Sequence, residues 1–202
     1  MRKLLLGLFV AILSAVPLLS AEANIEVGKA APNFQGIDTQ GNTINLSDYK
    51  GKIVVLEWSN HQCPYVVKHY EGGNMQSLQK ETTKEGVVWL TIVSSAEGKQ
   101  GYTKPQEANA IIEAKDAHAT ARILDPSGKI GHLYGARTTP HMFVVDAQGT
   151  LAYAGAIDSN SSVKSSTIVS ATNYVREAVN DLMAGKDVKI SSTKPYGCSV
   201  KY

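Results

Sequence analysis

The chain has 202 residues, 20 of them Lys or Arg and 18 Asp or Glu, and its net charge of +2 is no electrostatic footprint for nucleic acid. Its length and its 43% hydrophobic content fit one domain with a full core. It has two cysteines, Cys63 and Cys198, and they raise the question of whether they pair.

Taken in order, the chain begins with a targeting pattern. Arg2 and Lys3 form a basic start, residues 4–13 are almost wholly apolar, and Ala21-Glu22-Ala23 reads as a small-x-small cleavage site. The apolar run is shorter than the roughly 20 residues that a spanning helix needs. Residues 1–23 are therefore expected to be a cleaved signal peptide. Residues 24–202 are expected to be an exported domain with no stable membrane insertion. Residues 24–34 read as a polar lead-in and an irregular piece, 38–42 as a turn and 43–46 as a short strand. Residues 47–52 read as a turn or single helical turn. The first convincing strand is 52–58, whose near-continuous apolar run suggests burial on both faces, as in a central parallel strand.

After Pro64, a helical face carries Val66, Val67 and Tyr70. Gly72-Gly73 interrupts it, and Asn74 is placed to cap a continuation through Met75, Leu78 and Thr82. Residues 87–93 form the second long apolar strand. Thr103-Lys104-Pro105-Gln106 has capping-box spacing ahead of a helix bearing Ala108, Ile111 and Ile112. A strand at 122–124, a turn and a short helix at 129–134 follow. Strands 142–145 and 150–156 flank a hairpin turn. A Ser-rich loop, a final amphipathic helix over 169–184 ended by Gly185, and a tail over 186–202 complete the chain. This order predicts an α/β fold: a mixed central sheet with helices on both faces.

The chemistry concentrates where strand 52–58 hands over to a helix, at Cys63. Pro64 suits the first helical position, where its missing N–H costs nothing. A thiol just before a helix N-terminus faces free N–H groups and the positive end of the helix dipole, and both favour the thiolate. The competing reading is a buried structural thiol.

With Thr139-Pro140 placed before a later strand, the arrangement resembles the thioredoxin fold, which implies a cis-proline beside the active thiol. The chain is similar, more closely, to redoxins related to peroxiredoxins and the alkyl hydroperoxide reductase–thiol-specific antioxidant proteins. The residues that carry the likeness are Asn60-x-x-Cys63-Pro64-Tyr65-Val66, Lys68-His69-Tyr70, Gly73-Asn74-Met75-Gln76, Thr138-Thr139-Pro140-His141-Met142 and Tyr153-Ala154-Gly155-Ala156-Ile157-Asp158. The closing Lys194-Pro195-Tyr196-Gly197-Cys198-Ser199-Val200-Lys201-Tyr202 adds to them. The chain departs from thioredoxins in lacking Cys-x-x-Cys, since Asn60 and Val66 flank Cys63 at those spacings. It departs from peroxiredoxins in having Leu56 for their proline and Asn60 for their threonine. The peroxiredoxin arginine falls near Pro140, which leaves Arg137 as the candidate substitute.

The resemblance implies a thiol-dependent oxidoreductase with no cofactor, and the targeting pattern implies its export, to a bacterial periplasm. Cys63 is the attacking thiolate, and its partners are a peroxide or a protein disulfide and an external thiol reductant. Cys198 either resolves the intermediate, from an extended tail that can swing, or staples the tail as a permanent half-cystine. Asn60 either donates to a bound peroxide or thiolate, or serves as a turn residue. Arg137 is a candidate polarising group. Pro64, Thr139 and Pro140 would shape a substrate groove, and Trp58 would pack in the core with one edge at the site. His61, His69 and His141 suit a metal chemically, but no pair has structural-zinc spacing, so no metal site is assigned. The non-enzymatic alternative is a binding or metal-carrying module with a structural Cys63–Cys198 disulfide. The oligomeric state is left open.

Overall fold

The computed structural model describes residues 25–202. The expected signal peptide and the mature start at Asn24 lie outside the described residues. Strands β1 (Gln35–Asp38) and β2 (Thr43–Asn45) lead through a 3-10 turn (Leu46–Tyr49) to β3 (Val54–Trp58) and helix α1 (Pro64–Glu71). Next come α2 (Asn74–Lys84), β4 (Val88–Val93), α3 (Pro105–Ala114), β5 (Ala121–Leu124) and α4 (Lys129–Leu133). The remainder is β6 (Thr138–Thr139), β7 (His141–Val145), β8 (Leu151–Gly155), a 3-10 turn (Ser165–Ser170), α5 (Tyr174–Met183) and β9 (Cys198–Ser199). Among the described residues no helix is long and apolar enough to cross a membrane.

Seven strands form a mixed sheet in the order β2-β1-β5-β4-β3-β7-β8. β3, β4 and β5 run parallel, and β7 is antiparallel to β3. Every residue of β3 is buried, as its apolar run requires of a strand covered on both faces. The period of two divides its side chains. Val54, Leu56 and Trp58 join Leu90, Ile92, Tyr134 and Phe143 in one core layer. Val55 faces the other, with Val66, Met75, Trp89, Met142 and Val179 from the strands and from α1, α2 and α5.

The structure differs from the sequence reading at several places, β6 and β9 among them. β1 lies where the reading has an irregular piece and a turn. Its Gly36 passes so close to Ile123 and Ile130 that a Cβ would overlap them, so close packing of backbone replaces the apolar alternation that signals a strand. The cap of α2 is Gly73 at φ +70°, a left-handed position that suits glycine, and Asn74 is the first helical residue. The box at α3 shifts by one residue: the Lys104 N–H donates to the Glu107 carboxylate at 2.9 Å. α5 starts at Tyr174, because Asn173 caps it by accepting from the Arg176 N–H at 2.9 Å. Val169 stands 93% exposed on the preceding 3-10 turn.

A carboxylate sits inside the sheet. Glu57 of β3 is fully buried, and its carboxylate accepts from Trp89 Nε1 at 2.9 Å, Gln79 Nε2 and Thr91 Oγ1 at 3.1 Å, and the Tyr70 hydroxyl at 3.2 Å. These donors come from β4, α1 and α2, so Glu57 ties the helix that follows Cys63 to the sheet. Beyond α5 the tail lies along β8, the last strand of the sheet. Ala154 bridges Ser192, and the Ala154 N–H donates to the Ser191 carbonyl at 3.1 Å. Glu57→Leu leaves several buried donors without an acceptor, each costing about 1–3 kcal/mol, so stability is expected to fall by more than about 3 kcal/mol. A urea midpoint that drops with unchanged m-value is the expected result; an unchanged midpoint would show that the donors find other partners.

Candidate active site

β3 ends at Trp58, and a short loop carries the chain to Cys63, which is the N-cap of α1 in an extended conformation, with Pro64 at the first helical position. Asn60 builds that loop. Its carbonyl accepts from the Cys63 N–H and its Oδ1 from the Gln62 N–H, both at 2.9 Å, while its Nδ2 donates to the Gln100 carbonyl at 3.2 Å. These bonds fit the turn reading of Asn60, and they use one of the two Nδ2 hydrogens.

The Cys63 side chain is completely buried, and its thiol lies 3.0 Å from the Thr139 carbonyl. Thr139 is the second residue of β6 and precedes Pro140 through a cis peptide bond, as the resemblance implies. β9 pairs antiparallel with β6, setting Cys198 opposite Thr139 and Ser199 opposite Thr138. The second cysteine is thereby delivered to the first, and both are free thiols. Gly197 makes the approach possible: at φ +139° its missing side chain leaves room for the Thr139 carbonyl, which any Cβ would overlap.

The two sulfurs titrate in opposite directions. Burial pushes Cys63 up, but hydrogen bonds from the Cys198 side chain, the Thr139 side chain and the backbone at Cys198 and Val66 outweigh it, and the net shift is downward. Cys198 is pushed up to about 11 by burial, by its hydrogen bond to Cys63 and by the Cys63 charge. The two thiols are coupled in opposite directions: Cys63 gives up its proton more readily than Cys198, which retains its own. The Thr139 carbonyl accepts from the Cys63 thiol, while its buried hydroxyl makes no hydrogen bond among the described residues.

The tail is held by hydrogen bonds on both sides of Cys198. Downstream, the Val200 N–H donates to Arg137 O at 3.1 Å, the Ala96 N–H to Lys201 O at 2.8 Å, and the Tyr202 hydroxyl to Ala136 O at 2.7 Å. The Tyr202 ring stacks on His132 with centroids 3.9 Å apart. Upstream, Thr193 Oγ1 accepts from the Ala156 N–H at 2.9 Å and bonds the Tyr153 hydroxyl at 2.6 Å. Between these anchors, Tyr196 donates its hydroxyl to the carboxylate of buried Asp158, which Lys68 also holds at 3.3 Å.

Other expected site residues lie elsewhere. Trp58 is fully buried in the opposite core layer, where it packs on Tyr134 and Phe143 and donates to Ser94 Oγ at 3.0 Å, so it presents no edge to a groove. Its strand alternation places it there. Arg137 is exposed, in a cavity of about 570 Å³ lined also by Tyr134, His141, Phe143 and Lys194; Cys63 is not in its lining. Thr139 and Pro140 are buried beside Cys63, and Pro64 is exposed on its flank. The three histidines are separated. His141 is held down to about 4 by burial and the Arg137 charge, and its Nδ1 accepts from the Arg137 N–H at 3.3 Å. His69 is likewise held down to about 4 by burial, against the pull of Asp158. His61 faces a narrow cleft with Ser59, Lys115 and Arg122. Among the described residues no group of three or more His, Cys, Asp or Glu is arranged to hold a metal ion. Sequence reading missed Lys68, Asp158 and Tyr196 as a unit. Their one signal is that all three lie in the segments that carry the resemblance.

A sheet of this order, with a thiol at the strand–helix corner and a proline segment against it, defines a redoxin of the thioredoxin type. The family model described as "AhpC/TSA family" matches residues 27–154, and the chain belongs to that family. The chain is 27% identical over 132 residues to the thiol-disulfide oxidoreductase ResA of Bacillus cereus, covering 64% of this chain and 69% of that one. Among solved structures it is similar to a hypothetical protein from Sinorhizobium meliloti, with TM-score 0.75 and 23% identity over 89% of this chain and 96% of that one. It also resembles the thioredoxin domain of a thiol-disulfide oxidoreductase from Bacteroides vulgatus, with TM-score 0.50 and 21% identity over 63% of this chain and 86% of that one.

Thiolate absorbance at 240 nm is expected to rise with a midpoint below the free-thiol value of about 8.5. Thr139→Val removes the hydroxyl and keeps the shape, so it is expected to move that midpoint upward. A wild-type midpoint at or above the free value would mark Cys63 as an inert buried thiol.

Proposed function

We propose that the protein is an exported thiol–disulfide oxidoreductase that works through the Cys63–Cys198 pair. The observation that carries this reading is the placement of Cys198 against Cys63 with opposite shifts of the two thiols. In the reducing direction, the Cys63 thiolate attacks one sulfur of a substrate disulfide. A Cys63–substrate bond forms, the substrate S–S bond breaks, and the other substrate sulfur leaves as a thiolate that takes up a proton. Cys198 then loses its proton and attacks Cys63 Sγ, releasing the second substrate thiol. The protein is left with a Cys63–Cys198 disulfide, which an external dithiol reduces.

A protein disulfide is favoured over a peroxide as substrate. Relatives are named thiol-disulfide oxidoreductases, and the arginine offered for peroxide polarisation lines a cavity that does not include Cys63. We read residues 1–23 as the leader that takes the domain to an oxidising compartment such as a bacterial periplasm.

The test is Cys198→Ser, assayed beside wild type with a peptide disulfide and, separately, hydrogen peroxide. The variant is expected to form a stoichiometric mixed disulfide at Cys63 while turnover falls at least about 100-fold, the scale of a lost intramolecular step. Normal turnover in the variant would remove Cys198 from the mechanism. A wild-type bridge that resists reduction until the protein unfolds would make the pair a structural staple. Faster consumption of peroxide than of the disulfide would reassign the substrate.

A further inference from the structure

The Lys68–Asp158 pair is a buried ion pair close to the site. The Lys68 side chain has no exposed surface and that of Asp158 is 2% exposed, so both charges are almost wholly desolvated. Such a pair is weak evidence for stability; its use lies in fixing one arrangement. Lys68 Nζ reaches Asp158 Oδ2 at 3.3 Å and the Asn160 carbonyl at 2.7 Å, and lies 5.6 Å from the centre of the Tyr196 ring. The other carboxylate oxygen accepts from the Tyr196 hydroxyl. His69 closes the arrangement. The Asn74 amide donates to its Nδ1 at 2.9 Å, so the ring proton sits on Nε2, which faces the Tyr196 oxygen at 3.3 Å. Tyr196 therefore accepts from a neutral histidine and donates to a carboxylate. Its ring also packs against Tyr65, with centroids 5.8 Å apart, on the helix that Cys63 caps.

All of this converges on a single tail residue, separated from Cys198 only by Gly197. Tyr196 and Cys198 both pack on the core cluster that contains Cys63, and Cys63 has no exposed surface beneath them. We propose that Tyr196 is a positioning residue: through Asp158, Lys68 and His69 it latches the Cys198 segment over Cys63, which speeds the resolving step and keeps bulky thiol reagents from Cys63. The inference rests on the dithiol reading above and adds to it the group that sets the geometry. It predicts effects of opposite sign on two rates. A loosened tail makes closure by Cys198 slower and attack on Cys63 from outside easier.

Tyr196→Phe removes the hydroxyl and keeps the ring. From a pre-formed mixed disulfide of Cys63 with a small aromatic thiol, closure to the Cys63–Cys198 disulfide is expected to slow about 10-fold or more. In the reduced protein, alkylation of Cys63 by a polyethylene-glycol maleimide is expected to speed up more than alkylation by iodoacetamide. Tyr202→Phe, which loses an anchor on the far side of Cys198, gives the comparison, and thermal melting of each variant reports its folding. Wild-type closure in Tyr196→Phe would overturn the latch and leave the resolving role of Cys198 intact. Equal loss in Tyr202→Phe would also overturn it, because general loosening of the tail would then explain the result. Normal turnover in Cys198→Ser is the separate outcome that removes the dithiol reading itself.

Discussion

The site depends on one backbone pairing, Thr139 opposite Cys198. Thr139 touches Cys63 from one side and the tail from the other. The chain places its cysteines far apart in sequence, and no local motif can hold them together. The substitute is a two-strand ladder between β6 and β9, made possible by a glycine that lets the tail lie against the Thr139 carbonyl. Everything else at the site follows from that contact: the burial of Cys63, the donor beside its sulfur and the upward push on Cys198.

Desolvation and hydrogen bonding compete at Cys63, and their order decides its reactivity. Burial alone would make a sluggish thiol. The supply of donors reverses this, from the tail, from Thr139 and from the first turn of α1. The same interaction has the opposite effect on its partner, because a thiol that donates to a neighbouring thiolate resists giving up its own proton. The resulting asymmetry is what the proposed division into attacker and resolver rests on.

Much of the fold was legible because its central strands are apolar runs and helices α1 to α4 begin at prolines or follow glycines. β3, β4 and the β7–β8 hairpin fall where the pattern puts them. β1 was hidden because Gly36 packs by its backbone, a contact that leaves no mark in hydrophobic alternation. At the site, Cys63, Pro64 and Pro140 were legible from the strand–helix corner and from the resemblance. Trp58 packs in the core, as read, but its alternation with Leu56 turns it to the layer away from Cys63. The Lys68–Asp158–Tyr196 cluster was not legible, since three polar residues from a helix, a loop and a tail meet only after the chain has folded.

The tail also has a task unrelated to sulfur. β8 is the last strand of the main sheet, and its outer side is met by the bridge at Ser192 and by the bonds between Ala154 and residues 191 and 193. An uncovered edge strand is a template for pairing with other chains. A protein cut short ahead of this segment would lose a cysteine and uncover a sticky edge in the same stroke. Its inactivity would then say as much about self-association as about chemistry, whereas a single-atom change at Cys198 separates the two.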